Sequence, residues 1–286
     1  PTVLEVFNTL LKHLRMSVDF ELGESSRRNS SSSVSSVRGR ESDERIVQNA
    51  IIQTIGFFGG NLPDYQRAEV MMFIMGKVPV YGTPCHTLDT VKIGHKGTKR
   101  IQTMLLSSLI MVTSGFKSKS MSAALPPPFL DPLFSISLME DSELRQLVLE
   151  ILHNIIDRHD NRAKLRGIRT GTSASSALLP AAFNGIQLEL IRGECGLAGP
   201  SLSISLHMER LNARAARWHS YFIVDHGQQL YRHVYLGCKE EDNVHKNFEL
   251  LYTTLAILTI ELANEEVVID LIRLSIALQV TLMFKL

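Results

Sequence analysis

The sequence predicts an all-α chain of helical hairpins stacked as an α-solenoid, with long disordered loops between some of them. Three observations lead there. Apolar residues recur at steps of three and four through most of the 286 residues, the helical period. Leu, Ile, Val and Met carry the apolar weight, with aromatics at only 7%. Three segments, ESDERIVQNAIIQTIGFF from Glu41, EDSELRQLVLEILHNIID from Glu140 and ANEEVVIDLIRLSIALQ from Ala263, share acidic capping residues followed by the same apolar spacing.

Taken in order, Thr2 to Leu22 reads as a helix with Val3, Val6, Phe7, Leu10, Leu14 and Val18 as its stripe and Glu5, Lys12 and Arg15 facing out. Residues 23–40 hold Ser30 to Ser33, Ser35, Ser36 and four arginines. Such a stretch buries too little to offset its ordering entropy and is expected to be a disordered loop. Ser42 or Asp43 then caps a helix carrying Ile46, Val47, Ala50, Ile51 and Ile55, which ends at Gly59-Gly60-Asn61. Pro63 opens the next helix (Tyr65, Val70, Met71, Ile74, Met75), which stops at Gly76 and completes a hairpin. Residues 79–97 read as loop and Lys99 to Phe116 as a third strong helix, with Ile101, Met104, Leu105, Leu109 and Val112 inside. Pro126-Pro127-Pro128 reads as a break before a short helix, Phe129 to Leu138, and a long one, Asp141 to Arg158.

Residues 161–226 are weakly patterned, with a basic run (Arg158, Arg162, Lys164, Arg166, Arg169) and Gly- and Ser-rich tracts. They read as an irregular insertion, either exposed or foreign to the folded protein. Helical periodicity returns over 227–286, through Leu230, Val234, Tyr235 and Cys238. It culminates in Lys246 to Gln279, two helices hinged at Ala263-Asn264. The first carries Phe248, Leu251, Leu255, Leu258 and Leu262; the second is capped by Asn264 and carries Val267, Leu271, Leu274 and Leu278. The spacing of the three related helix starts is a multiple of an armadillo or HEAT unit. The expected domains are therefore armadillo/HEAT-like repeats over 1–160, the insertion over 161–226 and the last repeats over 227–286. The chain meets its first helix at once and does not begin with Met, which suggests a piece of a longer protein.

Composition excludes several classes. With 30 Lys and Arg against 29 Asp and Glu, the net charge of +1 offers no excess of cations for nucleic acid. The most apolar run, Leu251 to Leu262, is too short to span a membrane and contains Glu261. Cys85, Cys195 and Cys238 are few and far apart, which fits a reducing compartment.

No residue set points to chemistry. Cys85-His86 with Asp89 and His95 lacks the paired spacing of a zinc site and reads as solvent loop. Gly171-Thr172-Ser173-Ala174-Ser175 lacks the last glycine of a nucleophile elbow and no strand precedes it. Gly94, Gly97 and Lys99 have the wrong spacing for a phosphate loop. His153, Asp157 and His159 lie on or past a helix end, where Arg158 and His159 are expected to face the C-terminal carbonyls. The basic run from Arg158 reads as solvated, with contact to anionic lipid as the alternative. Glu261, Glu265, Glu266 and Asp270 read as caps and a solvated helix face. We therefore assign no catalytic, cofactor-binding or metal-binding residue and no cofactor. Ser30, after Arg27-Arg28-Asn29, is a basophilic kinase acceptor by pattern.

Several blocks carry a family likeness: PTVLEVFNTLLKHLRMSVDF, NLPDYQRAEVMMFIMGKVP, LMEDSELRQLVLEIL with IDRHDNRAKL, GQQLYRHVYLGCKEEDNVHKN and IELANEEVVIDLIRL. Together they resemble the Eighty-five-requiring scaffold family. The likeness leaves out residues 23–40 and about 168–220, and the tail 280–286 departs from it. It implies a helical-repeat scaffold on the cytoplasmic face of the plasma membrane. Such a scaffold recruits the type III alpha phosphatidylinositol 4-kinase complex through a tetratricopeptide-repeat adaptor. The resemblance further implies membrane attachment through an acylated, basic N-terminal region and adaptor binding mainly through a C-terminal region, both outside this chain. A diacylglycerol lipase activity, also linked with the family, is the alternative, although no elbow supports it.

Overall fold

The structure is a computed structural model that describes residues 2–28, 37–80, 95–117, 126–169, 226–261 and 265–283. These residues form α1 (Val3–Arg28), α2 (Val37–Gly60), α3 (Asp64–Met75), α4 (His95–Thr113), α5 (Pro127–Ile136), α6 (Ser142–Ile156), α7 (Asn161–Arg169), α8 (Gln228–Gly237), α9 (His245–Glu261) and α10 (Glu265–Met283). No strand occurs among the described residues, and the all-α expectation holds. The chain divides into two compact units, Pro1–Ile155 with Arg232–Leu251, and Ile156–Tyr231 with Tyr252–Leu286.

In the first unit α2 packs against both α1 and α4, and α3 packs against α4 and α5. The core comes from Phe7, Leu11, Leu14 and Val18 on α1, Ile55 on α2, Val70, Met71, Ile74 and Met75 on α3, and Leu106, Leu109 and Val112 on α4. Gly56 and Gly59 make the α2–α4 contact possible. A Cβ at Gly56 would sit 2.7 Å from Met111 Cβ, and one at Gly59 would sit 3.0 Å from Val112 Cγ2. Glycine therefore serves here to let two helices approach, while Gly60, at the helix end, has open space around it.

Polar side chains inside this unit mostly hold backbone. Buried Arg67 donates through Nε to the Val112 carbonyl at 2.6 Å and through its guanidinium to the Ser114 carbonyl, so a cation meets the C-terminus of α4. Its charged carbon lies 5.7 Å from the Phe116 ring centroid. Burial pushes the Arg67 pKa down, against the opposing pull of Asp64. Asp141 caps α6: its Oδ1 accepts the N–H groups of Glu143 at 3.0 Å and Leu144 at 3.1 Å. Lys99 also bridges this carboxylate. Burial raises the Asp141 pKa, but Lys99 and the two N–H groups outweigh it and leave it below the ordinary value. Asn247, at the start of α9, donates to the Ser142 carbonyl at 3.0 Å and accepts from Gln146 at 2.9 Å. His233 stacks on Phe134, with centroids 4.9 Å apart, and its Nδ1 lies 3.1 Å from Ser137 Oγ.

The second unit buries Ile156, Leu230, Tyr231, Ile257, Leu258, Val267, Leu271 and Leu274. Burial, reinforced by Asp270, pushes the Tyr231 phenol up to about 12.

Several expectations need correction. The loop expected over 23–40 is helical at both ends, since α1 runs to Arg28 and α2 begins at Val37. Extending an existing helix adds one hydrogen bond per residue fixed, and neither end contains proline. Asp43 therefore lies within α2 rather than at its cap. The proline triplet opens α5 rather than breaking the chain: Pro126 is its N-cap and Pro127 lies in its first turn, where a missing N–H costs nothing. The first residues of the 161–226 insertion form α7. Its remainder, residues 29–36, the hinge at Ala263-Asn264 and Leu262 lie outside the described residues.

Of the apolar stripe chosen for α2, Ile55 is buried and Ile51 half-buried, but the rest faces out. Ile46 is 62% exposed and Val47 and Ala50 face outward, while Gln48, Ile52, Ile55, Gly56 and Gly59 are buried. The helix is apolar on both sides, and the side with glycines fits against α4. Tyr65 and Phe248, expected inside, are likewise exposed.

Two measurements check this packing. Gly56→Val is expected to cost about 2–3 kcal/mol through overpacking against Met111, whereas Gly60→Ala should be neutral or stabilising by about 0.5–1 kcal/mol; equal effects in thermal unfolding would contradict the close contact. For Asp141, whose folded pKa is depressed, the contribution is present above the unfolded value and lost as pH falls through the folded one. Asp141→Ala should therefore destabilise by about 1 kcal/mol at neutral pH. Its deficit against the parent should close as pH drops below about 4; a deficit that persists in acid would count against the capping carboxylate.

Candidate functional site

One concave site opens on the surface of the first unit, between α1 and α4 beside the end of α3, with a volume of about 220 Å³. The floor is apolar. Leu11, Leu14 and Val18 come from the buried stripe of α1, and Ile101, Met104 and Leu105 from α4. Both helices supply the floor because each presents a run of aliphatic side chains at helical spacing toward the other. The rim is polar and cationic. Asn8, Lys12 and Arg15 lie at successive turns of α1, and Lys77 follows α3.

These rim groups differ in how firmly they are held. Arg15 Nε contacts Asp19 at 3.0 and 3.1 Å, an exposed pair one turn apart. The Lys77 ammonium lies 4.6 Å from the Phe73 ring centroid. Lys12 is exposed and has no partner among the described residues. Below the groove, Glu21 ties α1 to its neighbours. It accepts from Gln48 at 2.9 Å and Arg100 at 3.3 Å, and Arg45 lies 3.6 Å away. Gln48 in turn accepts from Arg100 at 2.7 Å. This network ties α1 to α2 and α4.

The second unit concentrates polar groups at the segment Asp157 to Asn161. Asp157 accepts the N–H groups of Asn161 and Arg162, both at 2.8 Å, and so caps α7. Asp160 adopts φ +55, a left-handed conformation that turns the chain. Glu261, at the end of α9, inserts here with its side chain only 2% exposed. Its Oε1 accepts the N–H groups of Arg158 at 3.1 Å and His159 at 3.0 Å, and the Asn161 side-chain amide at 2.7 Å. Its Oε2 lies 2.8 Å from His159 Nδ1. Oε1 thus meets three donors of this segment and Oε2 one ring nitrogen, which ties the carboxylate to the loop.

Set against the sequence reading, Glu261 is the main correction: it is a buried tether, not a cap or a solvated acid. His159 meets Glu261 instead of the carbonyls at the end of α6. Asp270 pairs with Arg273 at 2.9 Å on the surface, as a solvated face would. Lys164 reaches Asn161 Oδ1 at 3.3 Å, and His153 is buried. Ser30, Cys85, His86, Asp89, Gly94 and Gly171 to Ser175 lie outside the described residues, and so do the side chains of His95, Arg166, Arg169, Glu265 and Glu266. Among the described residues no three His, Cys, Asp or Glu side chains gather as a metal site, and no helix there is long and apolar enough to cross a membrane. The groove was not legible from the sequence. Lys12 and Arg15 carry a signal, as cations one turn apart beside an apolar stripe, but Lys77 reaches the site only through the packing of α3.

Comparison with known proteins gives a consistent picture. The family model described as EFR3, armadillo repeat, matches residues 1–285. The chain is similar to Protein EFR3 homolog A of Xenopus laevis, with 64% identity over 281 residues, 98% of this chain and 30% of that protein. Similarity to the human homolog A is 59% over 279 residues and to the human homolog B 44% over 279 residues, each again covering 98% of this chain and 30% of the relative. The chain thus spans about 30% of the length of these curated relatives. No solved structure matches it.

The Glu261 tether is open to test. Glu261→Ala should cost about 1–3 kcal/mol, because it leaves the part-buried Arg158 N–H and Asn161 amide without their acceptor. His159→Ala removes an exposed partner and should cost less than about 1 kcal/mol. Amide hydrogen exchange at Arg158 and His159 should rise in the first variant alone; unchanged protection would refute the tether.

Proposed function

The chain belongs to the EFR3 armadillo-repeat family, and on that premise we propose that it is part of a non-enzymatic helical-repeat scaffold that helps localise the type III alpha phosphatidylinositol 4-kinase complex at the plasma membrane. The observation that carries this reading is the extent of the likeness: a repeat-family match over residues 1–285 and 64% identity across 98% of the chain. The structure supports a scaffold in a second way. The buried charged groups Arg67, Asp157 and Glu261 are engaged in holding helix ends and loop backbone. In this reading the kinase complex is reached through a tetratricopeptide-repeat adaptor, with the main contact outside this chain. Attachment to the inner leaflet uses a region that is also outside it. Within the family, the sequence blocks are most like the rolling blackout protein, and that placement is part of the proposal. No observation favours the diacylglycerol lipase alternative.

Two measurements test the reading. In cells depleted of the protein, the kinase should leave the plasma membrane and return when the full-length protein is restored; unchanged kinase distribution would sink the proposal. Purified full-length protein should release no fatty acid from diacylglycerol, and Ser173→Ala should change nothing. Serine-dependent turnover would replace the scaffold reading with a hydrolase.

A further inference from the structure

We infer that the groove between α1 and α4 takes an acidic, amphipathic peptide segment of a partner protein, with its apolar side chains on the floor and its carboxylates facing the cations of the rim. Three features lead to this occupant. The volume of about 220 Å³ falls below the roughly 300–1,000 Å³ typical of a whole small-molecule ligand, and suits one or two aliphatic anchor side chains. The floor is recessed between two helices, which is the geometry of helix-in-groove recognition. The charged groups that line it are all cations, Lys12 and Arg15 from α1 and Lys77 from the chain after α3.

The arrangement also argues against a bilayer. A lipid surface is engaged by apolar groups that protrude beyond the cations, whereas Leu11, Leu14, Met104 and Leu105 lie beneath them, each less than a tenth exposed. A segment threaded between the cations reaches that floor and a bilayer does not. Lys12, exposed and without a partner among the described residues, gives up no existing contact on binding. Arg15 must share its guanidinium with Asp19 and contributes less. Asn8, one turn before Lys12 on the same wall, supplies a neutral donor and acceptor for backbone or side-chain amides. The inference shares with the scaffold reading only the need for a protein partner, and its test uses purified protein without the kinase.

The probe is a fluorescein-labelled helical peptide with two leucines four positions apart and glutamates on both flanks, titrated into the purified full-length protein. A second peptide carries glutamine in place of each glutamate. The acidic peptide is expected to bind about tenfold more tightly than the neutral one, with the advantage shrinking as salt rises. Lys12→Glu combined with Lys77→Glu should weaken the acidic peptide by about tenfold or more, chiefly through a slower on-rate. Asn8→Trp, which fills the groove from an exposed rim position, should abolish binding of both peptides. These rim variants should melt with the parent, so that loss of binding is separated from loss of fold. The inference is overturned if the acidic peptide does not bind, or binds equally to all variants. It is overturned equally if the charge variants lose binding to phosphatidylserine vesicles while peptide binding is intact, which would make the occupant a membrane. Dissociation of a dimer by Asn8→Trp in sedimentation, without effect on the peptide, would make it a second copy. Kinase displacement in cells is read separately, so failure of either idea leaves the other standing.

Discussion

The contact between α2 and α4 sets the geometry on which the first unit depends. With no Cβ at Gly56 and Gly59, the backbone of α2 reaches Met111 and Val112 directly. That approach fixes which side of α2 is inside. It also sets where Gln48 must lie to meet Glu21 and Arg100, and so where α1 sits relative to α4. The groove between those two helices follows from the same constraint. Interiors are packed to crystalline density, so a side chain added at such a contact is felt at once. The neighbouring end of α4 is closed by Arg67, whose guanidinium takes carbonyls that would otherwise be buried without partners.

Several polar side chains in this protein hold backbone at a helix end or in the segment beside it. Arg67 does so for α4, Asp141 for α6, Asp157 for α7, and Glu261 for the segment that precedes α7. A helix leaves four N–H groups and four carbonyls unpaired at its ends. A protein made of many helices joined by tight connections multiplies those ends. The one concave surface described offers apolar depth and positive charge, which are binding properties.

Much of the fold was legible because helical periodicity is local. Ile101, Met104, Leu105, Leu109 and Val112 were placed inside α4 from their spacing alone, and all are buried. The same reasoning failed in part on α2, where Ile46 and Phe57, the latter 72% exposed, sit on a face as apolar as the buried one. Periodicity cannot choose between two apolar faces; the partner helix does. On α9 it placed Leu251 and Leu258 correctly inside but picked Phe248 where Asn247 and Leu250 point inward. The misplacement arose because polar Asn247 is buried for its hydrogen bonds to Ser142 and Gln146. The candidate site was less legible still. Lys77 lies far from Lys12 in sequence, and Glu261 resembles any acid near a helix end until its four donors, about a hundred residues earlier in the chain, are brought to it.

The sequence by itself determined that this chain is helical, roughly where its helices lie, and which family its blocks resemble. These depend on spacing and on the order of residues along the chain, which folding does not alter. Only the tertiary structure decided which face of α2 is buried, that Glu261 is a tether, and that cations from α1 and from the end of α3 rim a shared apolar groove. Each of these is a relation between residues distant in sequence. Each is settled by which surfaces can approach closely enough to exclude water and pair their polar groups.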